Sequence, residues 1–206
     1  MIDQNLIQQI VSSTKASLDT AIRTNEQLSM VQNVFPSACI DKIKTLVELN
    51  KVWKPVAYHP DSRLMIDWIP ESIVEELHIA GELLTDKIKQ YYSIDNIKLQ
   101  SLQIWKDTAT HSMSMHQDNP VIDVALQVYL FNNDPTEGTT FDVAGNLIDV
   151  PFKSNNGYLL WKKSNEERIP HKPTKAVSNG ERISLYITWS RFGKQAPDAN
   201  NPAAFL

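Results

Sequence analysis

The chain has 206 residues, a formal net charge of -4 and a pI near 5.7, which suits one domain with a core of useful size and leaves no room for a second full one. The acidic balance and the lack of a concentrated basic face exclude a dedicated nucleic-acid binder, whose phosphate contacts need such a face. Cys39 is the only cysteine, which excludes an intramolecular disulfide and a cysteine-rich zinc site and suits a reducing compartment.

The opening MIDQNLIQQI has no basic region leading into a long apolar run, and no later segment approaches the roughly 18 apolar residues of a membrane span. The expectation is a soluble cytoplasmic protein with neither membrane nor nucleic-acid partners. Up to about Asn50, apolar residues recur at helical spacing, at Leu6, Ile10, Leu18 and Ile22, then at Ile40, Ile43, Leu46 and Leu49. Pro36 stands near the start of the second helix, with Ser37 as its cap. RLMIDWIP reads as a short strand ending at Pro70. Pro70 then opens an amphipathic helix through Ile73, Leu77, Leu84, Ile88 and Tyr91, where its missing N–H costs nothing. Gly81 within that helix signals a bend or a close packing contact.

After Tyr92 the texture changes to short β-like runs, LQSLQIW, VALQVYLF, GYLLW and ERISLYITW, separated by NNDPTEG, NNG and SNG. Short strands without long helices between them predict an antiparallel barrel or two-sheet roll with the earlier helices on its outside. The chain thus divides into a mainly helical buttress over 1–95, a β core over 96–192 and a loosely ordered tail over 193–206.

The stretch SMSMHQDNP places His116 and Asp118 two positions apart. With five histidines and fourteen aspartates in the chain, a His-x-Asp arises by chance in roughly one such chain in three, so the pair needs partners elsewhere. On a strand both side chains would leave the same face, bringing an imidazole nitrogen and a carboxylate oxygen to one point. The ordinary alternative is a turn histidine beside a turn-forming Asp-Asn-Pro. Among the other histidines, His78 adjoins the core position Leu77 on a helix, His59 lies in the loop YHPDS, and His111 is close enough to border the same mouth. His171, in RIPHKPT, follows a β-like run and a polar turn and precedes the most regular strand, a position that favours it as a third ligand.

In that strand, ERISLYITW, Arg182, Ser184, Tyr186 and Thr188 share one face and Ile183, Leu185, Ile187 and Trp189 the other. In an open antiparallel sheet the polar face would simply meet water. In a small barrel it lines a cavity instead, where Arg182 and Ser184 side by side make an anion seat. VALQVYL repeats the pattern, with Val124, Leu126, Val128 and Leu130 against Gln127 and Tyr129.

HQD, a distal His171, and RIS beginning eleven residues later resemble, in that order, the signature of Fe(II)- and 2-oxoglutarate-dependent oxygenases, over about Leu99 to Trp189. HQDNP, VYL in the next strand and GTTF after the loop resemble the prolyl-hydroxylase-like branch of that superfamily. The resemblance implies an α+β, mainly β, fold: a double-stranded β-helix, or jelly roll, with the N-terminal helices packed on the outside of one sheet. It implies His116, Asp118 and His171 as the catalytic iron ligands and Arg182 as the partner of the distal carboxylate of 2-oxoglutarate, with Tyr129 and Ser184 hydrogen-bonding the same carboxylate. Dioxygen is then the second cosubstrate and ascorbate a supporting reductant. The implied reaction hydroxylates a C–H bond of a peptide or protein side chain or of a small molecule, with succinate and carbon dioxide as coproducts. A carboxylate at 118 fits hydroxylation, since related halogenases carry a small residue there.

Two departures from the family pattern fall near the substrate side and leave proline open as the target. TEGTTF stands where many relatives have a double glycine, and Trp105 and Lys106 stand where a prolyl hydroxylase often has tyrosine. The loops KDTATHSM, NNDPTEGTT and KKSNEER are the candidates for shaping the substrate entrance, and Trp105 and Trp161 are candidates for an aromatic wall or for core. Two other readings stay open: a catalytically silent cupin-like metal or ligand-binding module, and an interaction protein whose barrel displays the N-terminal helices to a partner. Oligomeric state is not legible in the sequence.

Overall fold

The computed structural model describes residues 1–49, 53–57, 59–109, 111–131, 134–163, 168–177 and 180–191. Along the chain run α1 (Gln4–Asp19), β1 (Ile22–Arg23), β2 (Leu28–Val31), α2 (Ser37–Leu49), β3 (Lys54–Pro55), β4 (Arg63–Ile66) and α3 (Ile73–Tyr92). They are followed by β5 (Lys98–Asp107), β6 (Val124–Leu130), β7 (Asp134–Val143), β8 (Asn146–Phe152), β9 (Gly157–Trp161), β10 (His171–Pro173) and β11 (Arg182–Ser190). An eight-stranded sheet has the order β1-β2-β9-β6-β11-β5-β4-β3, and a three-stranded sheet the order β10-β7-β8. Neighbouring strands pair antiparallel throughout. Among the described residues the protein is thus mostly β, with two antiparallel sheets and three helices, and no helix there is long and apolar enough to cross a membrane.

The alternation of β11 and β6 decides which way the large sheet faces. Ile183, Leu185, Ile187 and Trp189, with Val124, Leu126, Val128 and Leu130, join Leu6, Ile10, Leu77, Leu84 and Ile88 of the helices in one apolar cluster. Each such side chain, fully buried, contributes about 1.5–3 kcal/mol, so the helices are held by the sheet and cover it. Trp189 is wholly buried, and its indole N–H donates to Thr85 Oγ1 of α3 at 3.2 Å, so its one polar atom is satisfied. A Cβ on Gly81 would stand 3.1 Å from Leu99 Cδ1, so the glycine serves the close approach of α3 to β5. The opposite face turns toward the small sheet, where Tyr129, Phe141, Val150, Phe152, Tyr158 and Ile169 form a second, smaller apolar cluster.

Several local expectations give way. Pro70 lies outside α3, whose cap is Ser72, accepting the Val74 N–H at 3.1 Å. Ser37 is the first residue of α2, and the carbonyl of Pro36 takes the cap position, accepting the N–H groups of Cys39 and Ile40. The first helix stops at Asp19, so Ile22 lies in β1 and is 57% exposed. The segment over 1–95 is more than a helical buttress: β1 and β2 extend the large sheet beyond β9, and β3 and β4 extend it beyond β5. The strand expected in RLMIDWIP is β4, which stops at Ile66 and not at Pro70; β1, β2 and β3 are too short to show an alternation of their own. Most of NNDPTEGTT, expected as a loop, belongs to β7, with a register shift between Asp134 and Gly138. It runs into the hairpin with β8, whose two-residue turn holds Ala144 and Gly145 at φ 52° and 85°, as a type I′ turn requires. The 193–206 tail lies outside the described residues.

Candidate metal centre

The stretch around His116 is not a strand. A single antiparallel bridge ties it to β10: the His116 N–H donates to the His171 carbonyl at 2.9 Å, and the His171 N–H to the His116 carbonyl at 2.8 Å. β10 is in turn paired to β7, His171 opposite Phe141. The bridge sets the two histidines side by side, ring centroids 4.6 Å apart and planes tilted by 51°, and the chain then turns at Asn119, whose side chain accepts the Val121 N–H at 3.0 Å. His116, Asp118 and His171 each offer a ligand atom, and these atoms all lie within 4.8 Å of one another, the one such group among the described residues.

The surroundings select which atoms face inward. His116 Nδ1 lies 2.9 Å from the Ser114 carbonyl and His171 Nδ1 3.4 Å from the Ile169 carbonyl. A carbonyl can only accept, so these contacts favour the proton on Nδ1 and leave the Nε2 lone pairs for a ligand. Asp118 Oδ1 lies 3.6 Å from His171 Nε2, while Oδ2 accepts the Tyr186 hydroxyl at 3.1 Å and has Arg168 Nη1 at 3.4 Å. Burial by itself would raise the Asp118 pKa. The adjacent His171, then Arg168 and His116, outweigh it and hold the carboxyl far below the usual range. Burial, and then the neighbouring His171, lowers the His116 pKa, so its ring is neutral near pH 7, the form that binds metal.

These residues border a cavity of about 350 Å³. Arg182 and Thr188 of β11, Gln127 of β6, Trp105 of β5 and Arg63 of β4 line its other walls. Trp105 stacks on Tyr186 with centroids 4.3 Å apart, and Arg63 lies over the other ring system of the stack, 4.4 Å from the Trp105 centroid. The structure therefore brings His116, Asp118, His171 and Arg182 to one cavity. Tyr129 and Ser184 stand one layer behind it: Tyr129 is wholly buried and donates to Thr139 Oγ1 at 2.8 Å, and Ser184 Oγ accepts from Gln127 Nε2 at 3.1 Å. Thr139 and Gln127, not the two residues behind them, border the cavity. The Tyr129 hydroxyl is kept un-ionised by burial, its pKa pushed up to about 12.

Arg182 is not the solitary cation the sequence suggests. Its Nε and Nη2 both donate to Asp107 Oδ2, at 3.1 and 2.6 Å, and its Nη1 donates to the Gly138 carbonyl at 3.2 Å. Gly138 sits at φ 145°, where an added Cβ would fall 2.2 Å from the Val150 carbonyl oxygen, so only glycine fits. Arg63 holds the same Asp107, from Nε to Oδ1 and from Nη2 to Oδ2. Burial would raise the Asp107 pKa, but Arg63 and Arg182 bring it down to about 2. Arg63, Asp107, Arg168, Thr139 and the Tyr186 contact to Asp118 were not anticipated. The one available signal was the polar face of β11, which already included Tyr186.

The remaining histidines play no part in the cluster. His78 packs edge-on to Trp68 at 5.3 Å on the outer side of α3. His111 does not border the mouth but is wholly buried, its Nδ1 3.1 Å from Ser62 Oγ and its Nε2 3.6 Å from Asp107 Oδ1, with His59 edge-on to it. Trp161 stacks on Tyr92, centroids 4.9 Å apart, on the helical side, so Trp105 alone of the two tryptophans forms cavity wall. Of the loops, KDTATHSM contributes Met113 to the cavity, and the 164–167 part of KKSNEER lies outside the described residues.

No protein-family model and no curated protein matches the chain. Solved structures do. A prolyl-4-hydroxylase from Pseudomonas putida superposes with a TM-score of 0.63 at 15% identity, over 88% of this chain and 98% of that one. HygX from Streptomyces hygroscopicus, solved with nickel and 2-oxoglutarate, superposes at 0.56 and 12% identity, over 92% of this chain and 87% of that one. The chain has the fold of the 2-oxoglutarate/Fe(II) oxygenases. The non-haem α-ketoglutarate-dependent epimerase SnoN from nogalamycin biosynthesis shares this oxygenase fold too, with a TM-score of 0.60 at 10% identity, over 98% of this chain and 87% of that one. Hydroxylase and epimerase thus stand side by side among the matches, so the oxygenase fold alone does not choose the reaction.

Proposed function

We propose that the protein is an Fe(II)- and 2-oxoglutarate-dependent dioxygenase that hydroxylates a C–H bond of a peptide or protein side chain or of a small molecule, its two sheets being those of a double-stranded β-helix. The observation that carries the reading is the convergence of His116, Asp118 and His171 on a cavity that Arg182 also lines. Two imidazoles and one carboxylate are the donor set that occupies one face of a ferrous ion and leaves the other face open. His116 Nε2, His171 Nε2 and Asp118 Oδ1 would hold the metal. The Tyr186 hydroxyl donates to Asp118 Oδ2, with Arg168 Nη1 3.4 Å away, so this carboxylate offers one oxygen and does not crowd the open face.

Ferrous iron bound there would supply the oxygen chemistry that turns 2-oxoglutarate into succinate and carbon dioxide. Arg182 takes the distal carboxylate of the cosubstrate, a directional charged contact from a buried guanidinium. Thr139 and Gln127, backed by Tyr129 and Ser184, supply hydroxyl and amide groups beside it. Trp105 and Tyr186 form the flat wall against which a substrate would lie.

The test is succinate formation from 2-oxoglutarate, dependent on ferrous iron, with His116→Ala and His171→Ala as controls. The reading requires turnover in the wild type and none in either variant. A protein that binds metal tightly yet forms no succinate with any peptide or small-molecule mixture would be the cupin-like binding module instead.

A further inference from the structure

The cation expected to meet the cosubstrate is already half occupied by the protein. A guanidinium has five N–H groups. In Arg182 the Nε and one Nη2 hydrogen go to Asp107, and one Nη1 hydrogen goes to Gly138. By count, one N–H remains on each of Nη1 and Nη2, the two nitrogens at the outer edge, for an incoming carboxylate. Asp107 can make this selection because of register: it pairs with Arg182 on one side and with Arg63 on the other, so the three residues form a row across β11, β5 and β4. All three are buried, and both arginines border the cavity.

We propose that Asp107 is a positioning residue that clamps Arg182 so that only its outer edge is presented to the distal carboxylate of 2-oxoglutarate, with Arg63 completing the clamp from β4. This rests on the proposed role of Arg182. Arg63 lies over Trp105, so its orientation is fixed by a ring as well as by Asp107. The clamp acts on one end of the cosubstrate only. A 2-oxo acid without a distal carboxylate gains nothing from it, and metal binding is untouched.

Calorimetry on the full chain loaded with Mn(II), titrated with 2-oxoglutarate and separately with pyruvate, tests this without turnover. Pyruvate keeps the 2-oxo acid end and lacks the distal carboxylate. Asp107→Asn should raise the Kd for 2-oxoglutarate about tenfold or more, the scale of losing an orienting partner, while the Kd values for pyruvate and for Mn(II) change less than about twofold. Unchanged or tighter 2-oxoglutarate binding overturns the clamp, and so does an equal loss for both oxo acids, which would mark a general structural role. Arg63→Met guards against an Asp107 variant that does not fold. It leaves Asp107 holding Arg182, so the loss of 2-oxoglutarate affinity should be smaller than that of Arg182→Met. A loss as large as that of Arg182→Met would show that Arg63 itself carries the carboxylate and sink the clamp. If the wild type prefers 2-oxoglutarate over pyruvate and Arg182→Met keeps that preference, the reading of Arg182 has failed and the clamp falls with it. Loss of the preference in Arg182→Met but not in Asp107→Asn removes the clamp alone.

Discussion

Two carboxylates, the half-buried Asp118 and the buried Asp107, serve the cavity, and they are held in opposite ways. Asp118 gives one oxygen to the Tyr186 hydroxyl, near the Arg168 guanidinium, and keeps the other beside His171. Asp107 gives both oxygens to arginines, with His111 as a further neighbour. Both are kept ionised against burial by nearby positive charge. The lesson is that burial and a depressed pKa do not by themselves mark a ligand. What separates the two is whether an oxygen is left facing other donors, as at Asp118, or whether the protein's own guanidiniums saturate the group, as at Asp107.

The sharpest way to break this contrast is at Asp118. Asp118→Ala should abolish ferrous-dependent succinate formation, and an unchanged rate would return the His-x-Asp to coincidence. Arg182→Met comes next: the 2-oxoglutarate requirement should rise about 10- to 100-fold, since a buried charged hydrogen-bond partner is lost, while the metal Kd stays the same. Equal loss of both would contradict the division of labour.

The Asp107 side also has a pH signature. Burial, together with Arg63 and Arg182, outweighs the attraction of Asp107 and lowers the His111 pKa from 6.5 to about 4. The folded protein therefore resists protonating His111 while the unfolded chain does not. Stability should fall as pH drops from about 6.5 through about 4, by an amount on the order of 3 kcal/mol. Denaturant midpoints over that range, flattened in His111→Gln, are the measurement. Asp107 adds its own loss only at lower pH, because its stabilisation is full above 3.8 and disappears as pH falls toward about 2. The smallest expected effect is that of Tyr186→Phe. It removes one hydrogen bond to Asp118, so metal affinity should weaken by about tenfold with the fold intact, and a loss of thermal stability in its place would make the tyrosine a packing residue.

Much of the β core was legible because alternation is a strong signal once a strand is long enough. β11 shows it over nine residues, and its two faces meet the helices and the cavity as its pattern requires. β8 was not legible: Asn146–Phe152 is exposed at most positions, so it carries little apolar alternation. The strands β1 and β3 were hidden for a different reason, their length of two residues. His171 was legible by position beside a regular strand. Arg168, three residues before it, carried no comparable signal, since nothing in RIPHKPT says that a buried guanidinium should come within 3.4 Å of Asp118.

By itself the sequence determined the candidate donors, the alternating faces of β6 and β11, and the helices that cover one of those faces. These depend on periodicity and side-chain chemistry, which are local properties. Only the tertiary structure decided that a lone bridge, and not a strand, aligns His116 with His171. Only it set Arg63, Asp107 and Arg182 in one row, residues that are 44 and 75 positions apart in sequence. Such a row exists only once the register of three strands is chosen, and that register is set by burial of the whole sheet against the helices.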